Sequence, residues 1–168
     1  LAAAELEREQ TAERTREKMQ WRAEQGLNNG GQILGYDLDP DNKGVPKINE
    51  GEKGLVLLIF KTYLKEKGFK RTAQIINEKG YRTKFYISRR GRVQGGKKFN
   101  DTTIARVVQN PFHIGKVTHN GNIYDGQHEP IVPKDVWNKA QNIIETNKIC
   151  GSKNGDQNHY LFILQGLV

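Results

Sequence analysis

Apolar positions recur at helical spacing in several stretches of this chain, and the fullest of them is Glu50–Lys67. There Leu55, Val56, Leu58, Ile59, Phe60, Tyr63 and Leu64 cover more than half of a helical circumference, which predicts a helix at the centre of the fold. A second helix is predicted over Lys70–Lys79, with Phe69, Thr72, Ala73 and Ile76 on one face and Gly80 as its stop. The stretch Asn100–Pro111 places Ile104, Val107 and Val108 at i, i+3 and i+4. Asn100 or Asp101 can cap its start, and Asn110-Pro111 ends it. Pro133 opens a further helix whose core face is Val136, Trp137, Ala140, Ile143 and Ile144.

Between these helices the pattern shortens. Lys47–Asn49 reads as a short strand, and Arg82–Ile87 alternates well enough for another, followed by loop-like Ser88–Arg92 and Gly95–Lys98. Ile114–Thr118 and Asn122–Asp125 flank Asn120-Gly121, a strong hairpin signal. Leu1–Gln25 lacks Gly and Pro and predicts a long helix with few apolar positions, Leu6, Met19 and Trp21 being the largest. Such a helix projects from the domain or packs against another body, or else frays as a charge-laced terminus. Gly26, Gly30, Gly31 and Gly35 then give a flexible segment that leads to Leu34–Asp37. Lys148–His159 is polar and reads as a linker, and Tyr160–Val168 as a strand-like apolar run with nothing after it to pair with. That run, and a start at Leu1 without methionine, lead us to expect a piece of something longer.

Charge changes the picture most. The 168 residues carry a net +8 with a pI of about 9.6, and Lys61–Asn100 alone holds 13 Lys/Arg against 2 Asp/Glu. A one-signed stripe leading into a short amphipathic helix suits a polyanionic partner: phosphate neutralisation supplies affinity and one helix supplies discrimination. No apolar run approaches the ~20 residues of a spanning helix, and no insertion face accompanies the basic stripe, so a membrane partner is not expected. A hydrophobic content of 35% and a mean hydropathy of −0.77 are low for a fully packed chain. The single Cys150 excludes an internal disulfide and fits a reducing, cytoplasmic compartment.

On the Asn100–Pro111 helix the face opposite the apolar stripe carries Thr102, Arg106 and Gln109, with Thr103 beside them. These side chains hydrogen-bond base edges and phosphates, although any exposed helix face is polar. Arg89, Arg90, Arg92, Lys97 and Lys98 are candidate phosphate contacts, against the alternative of a solvated loop. Arg71 faces away from the core of its helix, and Arg22 and Gln25 stand where the long helix would meet a duplex. No catalytic set emerges. Ser88 with Arg89 and Arg90 reads as a phosphate-binding loop rather than a nucleophile, and His128-Glu129 before Pro130 as structural. His113, His119, His128 and His159 lack metal-ligand spacing with one another or with Cys150.

Taken in order, Leu34–Asp37, Val56–Phe60 with Tyr63-Leu64, Ala73–Asn77 with Gly80 and Thr83, Ile104–Pro111 with Gly115, and His128–Val132 resemble the recombinase domain of large serine recombinases. These are the integrases and transposases of phages and conjugative elements. The resemblance covers nearly the whole chain and departs at Phe99, where the family usually has Trp, and at His113, where Tyr often follows the Asn-Pro. It implies a mainly α fold with a small β component: a helical DNA-binding domain with a β-hairpin, preceded by a long linker helix.

The division that follows is residues 1–26 as a helix linking to an absent catalytic domain, 27–148 as the recombinase-type domain, and 149–168 as a linker and first strand of a truncated zinc ribbon. In the family a serine of the catalytic domain attacks a DNA phosphodiester. The segment after the long helix follows the minor groove, and the helical domain reads the adjacent major groove. The implied function is attachment-site binding within a bacterial recombinase that integrates or excises a mobile element and works on DNA as a dimer or tetramer. No cofactor is implied for this stretch, with zinc expected in the ribbon that would follow. An RNA-binding basic module and a protein-interaction domain using the long helix are the alternatives, and Leu6, Met19 and Trp21 make no heptad seam for the latter.

Overall fold

A computed structural model of the chain describes the backbone of residues 2–161 apart from 40, 43 and 89, and side chains within 5–148. Helix α1 (Ala2–Glu24) has every described residue from Glu5 to Trp21 exposed, so it projects from the body and is held only at its C-terminal end. Ala23 is fully buried there, and Arg22 donates from Nη2 to the Asn28 carbonyl at 3.0 Å. Gly26 then turns the chain with φ +70°, and a Cβ at that position would lie 2.3 Å from the Asp125 carbonyl oxygen. Only glycine allows this approach.

Strands β1 (Tyr36–Asp37) and β2 (Lys47–Ile48) pair antiparallel and deliver the chain into α2 (Glu50–Glu66). Asn49 caps α2, its side-chain oxygen accepting from Glu52 N at 3.1 Å. Leu55, Val56, Ile59, Phe60 and Tyr63 are buried, and α2 packs against three other helices, as its broad apolar surface requires. Those neighbours are α3 (Phe69–Glu78), α4 (Asp101–Gln109) and α5 (Lys134–Leu161). Helices α3 and α4 pack closely on each other although a long insertion separates them. Asn77 explains how: its Nδ2 donates to the Phe99 carbonyl and its Oδ1 accepts from Phe99 N, both at 2.8 Å. One side chain thus holds the end of α3 to the start of α4.

The insertion is an antiparallel hairpin, β3 (Tyr86–Ile87) with β4 (Val93–Gln94). Its ladder continues toward the body through Thr83, whose N–H donates to the Lys97 carbonyl at 2.9 Å. The same residue accepts from Gly96 N at 3.0 Å, so two residues face one, a bulge that Gly96 at φ +65° permits. The described residues of Ser88–Arg92 and Gly95–Lys98 are without strand, as expected, and form the tip and the base of this arm.

After α4 the expected strand does not begin at Ile114. Pro111–Ile114 instead forms one 3-10 turn closed by Gly115 at φ +79°, because Asn110 accepts from Phe112 N and curls the chain after the proline. Strands β5 (Lys116–His119) and β6 (Asn122–Asp125) follow, joined at Asn120-Gly121 with both residues at positive φ, as that dipeptide predicts. Helix α5 runs through Lys148–His159, where the polar composition predicts a linker. Its packed first turns nucleate it, and no proline stops propagation. Of the strand-like run predicted over Tyr160–Val168, the first two residues end α5 instead, and residues 162–168 lie outside the described residues, as do the side chain of Cys150 and that of Ile149.

Strand β1, helix α2 and the His128–Val132 segment meet around the 3-10 turn. His113 is 1% exposed, stacked near Tyr36 with ring centroids 6.1 Å apart and edge-on to Phe60 at 6.0 Å. Its carbonyl accepts from both Ile131 N and Val132 N. His128 stacks on Phe112 at 3.5 Å and donates from Nε2 to the Phe112 carbonyl at 2.7 Å, which leaves its Nδ1 without a proton. Burial and the neighbouring His128 push the His113 imidazole down to about 4. Burial holds the His128 imidazole below its ordinary range as well, and its ring and Nε2 are both engaged with Phe112.

Two outcomes are expected. Asn77→Ala leaves the Phe99 N–H and carbonyl unpartnered in a half-buried seam and costs about 2–3 kcal/mol of stability by urea denaturation. The unfolded chain takes up a proton at His113 below the ordinary 6.5, while the folded chain resists until about 4. Stability is therefore whole above pH 6.5 and falls as pH drops toward 4, by about 3 kcal/mol from this residue. Urea midpoints measured across that range should slope downward toward acid, and His113→Phe should flatten the slope. Asp37 and Asp125, held below the carboxylate value of 3.8 by lysine partners, act only at lower pH.

Candidate nucleic-acid interface

Helix α4 presents the face predicted for it. Ile104, Val107 and Val108 are buried, while Thr102, Arg106 and Gln109 are exposed. Asn100 is the N-cap: its Oδ1 accepts from Thr103 N at 2.7 Å and from the Thr103 hydroxyl at 2.6 Å. Thr103 is consequently tied into the cap and half-buried, so it supports the helix start. Asp101 accepts from Thr102 N at 2.8 Å, which leaves the Thr102 hydroxyl only a long 3.4 Å contact. Arg106 and Gln109 have no side-chain partner among the described residues, and two free polar heads one turn apart on a rigid helix are what base-edge contact needs. The far end of α4 is fixed by Gln141 of α5, which donates to the Val108 carbonyl at 2.9 Å.

Arg106 and Thr103 line one wall of a cleft of about 400 Å³. Gln32, Ile33 and Leu34 from the glycine-rich segment form a second wall, and Lys84 and Tyr86 from the inner side of the hairpin a third. The structure therefore brings the segment after the long helix beside the candidate reading helix, two stretches some 70 residues apart in sequence. Lys84 sets the hairpin's position. Its ammonium donates to Asp37 Oδ1 at 2.7 Å and Glu52 Oε2 at 2.8 Å, and Glu52 also accepts from Gly35 N at 2.9 Å. Burial alone would lower the Lys84 pKa, but its two carboxylate partners outweigh that and hold it above the usual lysine value. Lys84 is thus a latch joining β1, α2 and the hairpin base, a role that a cation in a run of cations does not announce.

The remaining predicted residues divide. Lys97 and Lys98 are exposed just before α4, and Arg90 and Arg92 are exposed at the hairpin tip, about five residues or ~16 Å further out along the ladder. Arg89 lies outside the described residues. Arg71 is exposed on α3, with Glu66 at 3.9 Å and Gln74 at 3.4 Å, both weak contacts that leave it available. Arg22 is already engaged with the Asn28 carbonyl, and its guanidinium fills the space a side chain at Gly44 would need, which makes it a pin for the α1 end. The Gln25 carbonyl accepts from Gln127 Nε2 at 2.6 Å while its side chain stays exposed. No cluster of three or more His, Cys, Asp or Glu able to hold a metal occurs among the described residues, and none of their helices is long and apolar enough to cross a membrane.

Residues 50–147 match the Recombinase family, more than half of the chain. No protein curated for its function matches. Among solved structures, the fold matches one described as "Crystal Structure of a LSR-DNA Complex", with a TM-score of 0.62 and 20% identity over 79% of this chain and 39% of that one. It also matches one described as "Sequence Requirements of the Listeria innocua prophage attP site", with a TM-score of 0.64 and 20% identity over 79% of this chain and 51% of that one. At that identity the likeness is one of fold, and the chain spans between about two fifths and half of the length of these structures. The ordered motifs predict a recombinase domain and the family match identifies one: this chain belongs to the Recombinase family.

Proposed function

We propose that this chain is the DNA-reading part of a serine site-specific recombinase and that it binds duplex DNA at the attachment sites of a mobile element. The observation that carries the reading is the pair of unpartnered side chains, Arg106 and Gln109, on the exposed face of a capped helix. Lys97 and Lys98 stand immediately before that helix. Arginine pairs with two acceptors on guanine and glutamine with the donor and acceptor of adenine, while lysines before the helix neutralise phosphates. The neighbours' descriptions name a DNA complex and a prophage attP site, which supports the same reading. The glycine-rich segment, whose Gln32, Ile33 and Leu34 line the cleft beside α4, is suited to follow the adjacent minor groove. The bond-breaking serine and the zinc site belong, on this reading, to other domains of the parent recombinase.

Selection of bound sequences from a random duplex pool should yield an enriched motif. Arg106→Ala should weaken binding to the enriched duplex by about 10- to 100-fold while changing pool binding little. Lys97→Ala with Lys98→Ala should weaken both duplexes alike and flatten the dependence of log affinity on log salt by about 0.9 per lost phosphate contact. Equal affinity for the enriched duplex, the pool and a structured RNA would replace the reading with that of a general basic module.

A further inference from the structure

The β3–β4 hairpin carries a second feature that phosphate contact does not use. Phe85, Ile87 and Val93 are 61, 65 and 63% exposed. Ile87 and Val93 are cross-strand partners, and Phe85 lies two residues along the same strand, so all three share one face. The opposite face is polar and occupied: Tyr86 donates to Gln94 at 2.7 Å and Lys84 is latched to Asp37 and Glu52. A two-stranded ribbon ordinarily lays its apolar face on a core. This one turns that face outward and holds it there with the Lys84 latch and the Gly96 bulge.

Charge decides what covers it. Residues 81–98 contain seven Lys/Arg and no Asp or Glu, and only Lys84 among the described ones has a carboxylate partner. A second copy of the arm would bring like charge against like, whereas a polyanion is complementary. The grooves of duplex DNA combine phosphate walls with apolar surface on thymine methyls and sugar edges, and β-ribbons enter them. We infer that the Tyr81–Lys98 hairpin is a second DNA-contacting element, its Phe85–Ile87–Val93 face packing into a groove of the duplex while its arginines hold the phosphates.

The inference rests on the DNA-binding reading above and adds to it a salt-insensitive contribution. The test is a salt titration of the full chain on a fluorescently labelled random-sequence duplex pool, comparing wild type with Ile87→Ser/Val93→Ser and with Ile87→Leu/Val93→Leu. Because these side chains are exposed, thermal melts should coincide. The serine pair should bind about tenfold more weakly with an unchanged salt slope, since no phosphate contact is lost, and the leucine pair should bind as wild type. Wild-type affinity in the serine pair, with wild type itself binding, would overturn this inference alone. Absence of duplex binding by wild type would overturn the DNA-reading proposal and the inference with it. A salt slope that falls in the serine pair as it does in Lys97→Ala/Lys98→Ala would also overturn it, as would unchanged DNA affinity with lost self-association or lost capture by anionic vesicles.

Discussion

The constraint on which the rest of this structure depends is the burial of the short turn between α4 and β5. Asn110, by accepting from Phe112 N, curls the chain after Pro111 and drives Phe112 and His113 inward. From there the His113 carbonyl collects Ile131 and Val132, the Phe112 carbonyl collects His128, and the rings pack on Tyr36 and Phe60. Tyr36 is itself fixed by donating to the Glu129 carbonyl at 2.8 Å. A buried site lined with carbonyls and two imidazoles whose charging burial disfavours tolerates little charge, which is why acid should loosen it. It also sets the end of α4 and the start of α5 in one frame, so the orientation of the exposed α4 face follows from packing behind it.

A second, lighter set of polar clamps carries that frame outward. Asn77 closes α3 onto α4 across the 22 residues that separate them, and Lys84 turns the base of the insertion toward β1 and α2. Hydrogen bonds to backbone groups and to a half-buried ammonium add modestly to stability, yet losing one partner leaves the other stranded, so they fix geometry more than they add energy. The projecting α1 is held in the same way, by Arg22 on the Asn28 carbonyl and by the Gly26 approach to Asp125. Relative placement of arm, helix and glycine-rich segment is thereby set by a handful of side chains.

What was legible in the sequence follows from which interactions are local. The apolar periods of α2, α3, α4 and α5, the Asn100 cap and the Asn120-Gly121 turn are decided within a few residues, and the structure has them where the pattern predicts. The exposed row Thr102, Arg106 and Gln109 follows from the same periodicity, as its buried counterpart does. Long-range choices were not legible. Nothing near Lys84 shows that its carboxylates lie at positions 37 and 52, and nothing near Arg22 shows that it is bound to a backbone carbonyl. The polar end of α5 misled because composition measures what could be a linker, whereas a helix once nucleated by packed turns continues until something stops it.

The hairpin shows how such a choice could have been found. Alternation in Arg82–Ile87 marks a strand, and a strand must turn one set of side chains each way. Its two cations, Arg82 and Lys84, fall on one side, but the aromatic Tyr86 falls there too, so charge alone does not mark the apolar face. Apolar residues at 85 and 87, with Val93 opposite Ile87, do so once the register is known. An apolar face on a cationic arm is costly to leave in water and is repelled by its own kind, so its retention argues for a surface that offers both phosphate and hydrocarbon. Duplex DNA offers both within one groove width, so on the proposed reading the arm would grip while the α4 helix discriminates.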